Sequence, residues 1–184
     1  MDTFKVVSAL GYLASNVPEL TKLKACKMLF FADKEHLLKY GRFITQDIYH
    51  KLDLGPVPSF TLNLINMPSE ILTEEDQLHL NKYITFSDDK FRVITCRKNP
   101  DLEQLSDSEI EVLDQVIDKY GRFNAGELIE ETHKEHFWNR TPMYQEIDFT
   151  NLIGTDLDPA AVEALREIHK EDKKTAQEFS PLLK

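Results

Sequence analysis

Lys27-Met28-Leu29-Phe30-Phe31-Ala32-Asp33-Lys34-Glu35-His36 is the stretch that decides how this chain folds. It reads as a helix that is apolar on nearly every side, with one acid set into the stripe that should be dry. Leu23, Cys26, Phe30, Asp33 and Leu37 follow one another at spacings of 3, 4, 3 and 4, which puts Asp33 on a seam of core residues. A carboxylate in that position costs on the order of several kcal/mol unless it is paired or hydrogen-bonded. Something must hold it. The helix that carries it is expected to run from about Pro18, a residue tolerated in a first turn, to Tyr40, where Gly41 supplies the stop.

Upstream, Phe4, Val7, Leu10 and Gly11 recur at helical spacing over residues 3 to 15, and Asn16-Val17-Pro18 ends that helix. Downstream, Ile48 to Asp53 alternates enough for a short strand, and Gly55-Pro56-Val57-Pro58 is expected to interrupt regular helix and sheet alike. A short helix follows from Pro58 or Ser59 to Met67. Two β-rich runs, Tyr83 to Phe86 and Phe91 to Thr95, flank a polar turn and predict a hairpin. Ser106-Asp107-Ser108-Glu109 is a capping box opening a helix through Ile110, Leu113, Val116, Ile117 and Tyr120 to Gly121. Asn124 caps a shorter one ending near His133, residues 134 to 157 read as loop or short turns, and Asp158-Pro159 opens a last helix bearing Val162, Leu165 and Ile168. The sum predicts a mainly α fold, a single compact helical domain with a small antiparallel β-hairpin or sheet. We place that domain at residues 1–145, with a C-terminal helical extension, 146–184, packed on or beside it.

At 184 residues and 41% hydrophobic, the chain suffices for one ordinary core. Its net charge of −10 is uneven: between Asp101 and Glu131 ten acids face only Lys119 and Arg122. Such a surface repels phosphate backbones, so direct nucleic-acid binding is not expected. It reads either as a solvated helix face or as a docking face for a basic protein, with Glu109, Glu111 and Asp118 as the candidate contacts. The start Met1-Asp2-Thr3-Phe4 lacks a basic leader region, and no apolar run approaches the roughly 20 residues of a membrane span. The expected location is cytoplasmic, with no membrane partner. Cys26 and Cys96 stand far apart without a CxxC spacing, and Cys26 reads as a small core residue.

Catalytic patterns are sparse. None of the six glycines falls in a phosphate-cradling loop, and there is no GxSxG elbow. His133-Lys134-Glu135-His136 offers two histidines where zinc wants at least three protein ligands, so neither metal nor cofactor is expected. Asp33 and His36 are neighbours on a helix, and a carboxylate could orient the imidazole for acid–base chemistry. With His133 they would make a small hydrolase or transferase site, provided that all three converge in an open cleft. The same residues also fit a structural acid, bonded to a backbone amide or to a tyrosine from the Gly55 loop.

Taken in order, these pieces resemble the Panacea domain, also called the SocA-like antitoxin domain. The resemblance rests on Lys27 to Asp33 with His36, then Gly41 and Ile44-Thr45, then Gly55-Pro56-Val57-Pro58. It continues through Leu105-Ser106, Leu113-Asp114, Val116, Tyr120-Gly121, Ala125, Glu127-Leu128 and Thr132-His133, with Trp138 soon after, and so covers about residues 1 to 140. It implies that Asp33, His36, Gly55, Pro56, Thr132, His133 and Trp138 build a structural motif rather than an active site. It further implies an antitoxin, not an enzyme: a protein that neutralises a co-encoded toxin by direct contact in a bacterial or prophage type II toxin–antitoxin module. Some members are adaptors that present the toxin to a protease; that role, another phage-associated interaction and oligomerisation all stay open. The family often has tyrosine where this chain has Phe30 and Leu54, and a proline between the Thr-His pair and the tryptophan. The donor to Asp33 must then come from elsewhere, with Tyr49, Tyr120 and His133 as candidates.

Overall fold

A computed structural model describes residues 2–136 and 140–149. Trp138 and the helix expected after Asp158 lie outside the described residues. Helix α1 (Thr3–Asn16) is capped by the Asp2 side chain on Lys5 N. Helix α2 (Lys22–Tyr40) starts four residues later than expected. Residues 18–21 cannot join it, since Glu19 sits at φ 48° and the Thr21 hydroxyl accepts from Lys24 N as the cap. Gly41, left-handed at φ 71°, ends the helix as the sequence predicts.

The Gly55–Pro58 segment is a strand, contrary to expectation. Strand β1 (Tyr49–Leu52) pairs antiparallel with β2 (Gly55–Pro58), setting Tyr49 opposite Pro58, His50 opposite Val57 and Lys51 opposite Pro56. The reason is register. Tyr49 and Lys51 turn their main-chain groups away from β2 and bond instead to residues 144–147, as Lys51 N to Gln145 O at 3.0 Å and Ile147 N to Tyr49 O at 2.7 Å. The prolines therefore face β1 only at positions where no ladder donor is needed.

Helices α3 (Ser59–Asn66), α4 (Pro68–Ile71) and α5 (Glu74–Tyr83) follow. The last two went unread in the sequence, although Thr73 caps Asp76 N and three acids fill the first turn of α5. Strands β3 (Ile84–Phe86) and β4 (Ile94–Cys96) form the expected hairpin, but with a wider turn, because Phe91 and Arg92 belong to the connection and Arg92 has φ 50°. Helix α6 (Asp107–Tyr120) carries the capping box on Ser106 and Glu109, and α7 (Ala125–His133) a second one on Asn124 and Glu127. The fold is mainly α, with two small antiparallel sheets among the described residues.

Helix α2 is the hub, buried from Ala25 through Asp33 and packed on α6, α7, α3 and β2. Phe31 stacks on Tyr120 of α6 at 4.3 Å, while Phe30 meets Tyr49 edge-on at 5.6 Å. Ile147 and Phe149 also enter this core, 1% and 3% exposed.

Candidate functional site

Most of the motif residues gather at two buried polar locks on α2, one around Asp33 and one around Lys27. In the first, Asp33 is fully buried, and its two oxygens take four hydrogen bonds. Ile44 N and Thr45 N donate to Oδ1 at 2.7 and 2.8 Å, the Thr45 hydroxyl donates to Oδ2, and Tyr49 Oη donates to Oδ2 at 2.8 Å. Burial pushes the carboxyl up to about 6, with these four donors pulling the other way. Of the candidate donors, Tyr49 supplies the bond. Tyr120 is engaged in stacking on Phe31 instead. The acid ties α2 to the 44–49 loop rather than to the Gly55 loop or the end of α7.

His36 is also buried, yet it bonds elsewhere. Its Nδ1 lies 2.7 Å from Arg42 O and its Nε2 3.1 Å from Ser108 Oγ. Desolvation lowers its pKa, so we assign the neutral ring with the proton on Nδ1, donating to the Arg42 carbonyl and accepting from Ser108. His36 thereby fastens the end of α2 to the first turn of α6. The bonds of Asp33 and His36 run to different partners, and Asp33 lies under the core rather than in an open cleft. His133, at the end of α7, feels the cations Lys27 and Lys51, which lower its pKa after desolvation. The geometry does not assemble the Asp33–His36–His133 site that a hydrolase needs.

The second lock centres on Lys27, 1% exposed, which sequence reading passed over as part of the helix motif. Its Nζ donates to Pro56 O at 2.8 Å, and burial drives its pKa down to about 7. Gly55, at φ 101°, makes room for this contact, since a Cβ there would stand 2.6 Å from Lys27 Nζ and 2.7 Å from Thr132 Oγ1. Gly55, Pro56 and Thr132 thus meet around one buried amine. Asp47 is a further buried acid that went unnoticed; it accepts from Phe60 N at 3.0 Å and Thr61 N at 2.8 Å, capping α3 from a distance where Pro58 offers no side-chain cap. No group of three or more His, Cys, Asp or Glu among the described residues could hold a metal ion.

The acidic face needs one correction. Glu109 does not belong to it: it is 1% exposed, bonds Lys5 Nζ at 2.7 Å and accepts from Ser106 N at 2.8 Å in the capping box. Its position on the helix turns it inward, beside Val112, Leu113 and Val116. The exposed stripe of α6 is Asp107, Glu111, Asp114 and Asp118, at spacings of 4, 3 and 4. Tyr40, 42% exposed, stands beside it and donates to Glu111 at 2.8 Å. No helix among the described residues is long and apolar enough to cross a membrane.

Residues 26–139 match a family model described as antitoxin SocA-like, Panacea domain. Neither the curated proteins nor the solved structures contain a significant match. The matched span begins beside Lys27, takes in both locks and α6, and covers more than half of the sequence. The chain belongs to the SocA-like antitoxin, Panacea domain family.

Proposed function

We propose that this chain is the antitoxin of a toxin–antitoxin pair, acting in the bacterial cytoplasm as one half of a type II module that neutralises a co-encoded toxin by direct binding. Family membership supports the antitoxin-like reading. The observation that carries the binding mode is the stripe Asp107, Glu111, Asp114 and Asp118, four exposed acids on one helix face beside the exposed ring of Tyr40. An acidic patch with an aromatic at its edge suits a basic partner, because the charge steers encounter and the ring supplies a buried anchor. Asp33, His36, Gly55, Pro56 and Thr132 are engaged in contacts within the fold, which supports a scaffold role for them and favours α6 as the working surface. Asp33, His36 and His133 have no catalytic part in this reading.

Co-expression tests the function. The gene adjacent to this one should arrest growth when expressed alone, and this chain should restore it. An adjacent product that is harmless by itself counts against the proposal. Given a toxin, the double reversal Glu111→Lys with Asp118→Lys should weaken the complex at least tenfold, chiefly through slower association, while the thermal transition stays in place. Unchanged affinity would move the interface off α6.

A further inference from the structure

An apolar pocket of about 310 Å³ opens between α2, the β1–β2 hairpin and α3, away from the acidic stripe of α6. Leu23 and Cys26 of α2, Leu52, Leu54 and Val57 of the hairpin and Leu62 of α3 line it. Leu54 is 53% exposed at the rim. Tyr144 also lines the mouth, its hydroxyl donating to Asp53 at 3.1 Å, so the acid on that side already has a donor. Two cations complete the lining, Lys22 and Lys27. Lys27 is 1% exposed, and Pro56 O accepts one of the three hydrogens that its ammonium form carries. A protein with net charge −10 has thus placed two lysines, and only one acid, on its apolar pocket.

We propose that this pocket binds a medium-chain aliphatic carboxylate, its tail against Leu23, Leu52, Leu54, Val57 and Leu62 and its head toward Lys27 and Lys22. The volume lies at the lower end of the range for small-molecule sites, which are mostly apolar with a few placed polar groups. A branched aliphatic lining with Tyr144 at the mouth suits a flexible chain. A carboxylate is the head group that fits, since it accepts from the ammonium and offsets its burial. The pocket does not overlap the α6 stripe, so the proposal stands apart from the antitoxin reading.

Titration calorimetry with octanoate and 1-octanol tests this on the full chain. Octanoate should bind one to one, and the alcohol, equal in length and uncharged, at least tenfold more weakly. Leu62→Trp, which puts a larger side chain on the pocket lining, should abolish octanoate binding with the fold intact. Lys27→Met should reduce octanoate to the level of the alcohol. Should Lys27→Met fail to fold, the acid-to-alcohol ratio on the unmodified chain decides the same point. Absence of octanoate binding, equal binding of acid and alcohol, or full binding by Leu62→Trp each overturns the proposal.

Discussion

Tyr49 donates its hydroxyl to Asp33 across the core at 2.8 Å, joining the first strand to the central helix through a bond that no solvent reaches. The tyrosine ring also meets Phe30 and Phe149, so one side chain serves both the polar lock and the aromatic cluster. Tyr49→Phe keeps the ring and removes one of four donors, and should cost about 1–2 kcal/mol. Asp33→Asn keeps an oxygen for the Ile44 and Thr45 amides but turns an NH2 toward the Thr45 and Tyr49 hydroxyls, which lose their acceptor, and should cost roughly 3 kcal/mol. Urea unfolding of the two variants checks the order, and equal losses would show that the acid matters only through Tyr49.

Lys27 makes stability depend on pH in alkaline solution. Its folded pKa, about 7, lies below its ordinary value of 10.5, so between those values the unfolded chain binds more protons than the folded one. Stability should therefore rise with pH across that window, by roughly 2 kcal/mol from pH 7 to 9 relative to a Lys27→Met variant. Asp33 works in the acid range. Its pKa is raised from 3.8 to about 6, so its protonated form favours the fold and that contribution is lost as pH climbs from about 4 to about 6. Parallel denaturation curves against Lys27→Met and Asp33→Asn read out the two windows separately.

Gly55→Ala should destabilise the chain by about 2–3 kcal/mol, because the methyl meets both the Lys27 amine and the Thr132 hydroxyl at a φ of 101°. Pairing it with Thr132→Ala relieves one contact but not the backbone strain. The double variant should recover only part of the loss, a result that thermal denaturation would show directly.

Glu109 and Glu111 stand two residues apart on α6 and should respond very unequally to charge reversal. Glu109→Lys places a second cation beside Lys5 at a buried site and should cost about 3 kcal/mol or abolish folding. Glu111→Lys alters an exposed side chain and should leave the melting transition close to that of the parent. Circular dichroism melts of the two proteins distinguish a capping acid from a surface one.

The sequence showed the central helix and its anomalous acid because apolar spacing and a left-handed glycine are local signals. Both capping boxes were legible for the same reason. What it hid depends on register and distance. The Gly55–Pro58 strand reads as a break until Tyr49 and Lys51 are seen to bond to residues 144–147, and no local rule carries that information. Lys27 looks like one more charge on a helix, although the carbonyl it bonds lies 29 residues away. Glu109 was legible as a capping residue, but a capping acid can face solvent, as Glu127 does, and the Lys5 contact that buries Glu109 lies 104 residues away in sequence. Asp47 gave no such hint, since the helix it caps begins twelve residues later.

The prolines of β2 also govern how a partner can approach. Pro56 and Pro58 turn toward the strand's outer side, where they have no N–H to offer, and the Pro56 carbonyl on that side is occupied by Lys27. The outer side of β1 is covered by residues 144–147. Neither side of this hairpin is left as a template on which another chain could add a strand. Recognition at this end of the molecule must therefore proceed through side chains, and the hairpin itself is guarded against the edge-to-edge association that short sheets invite.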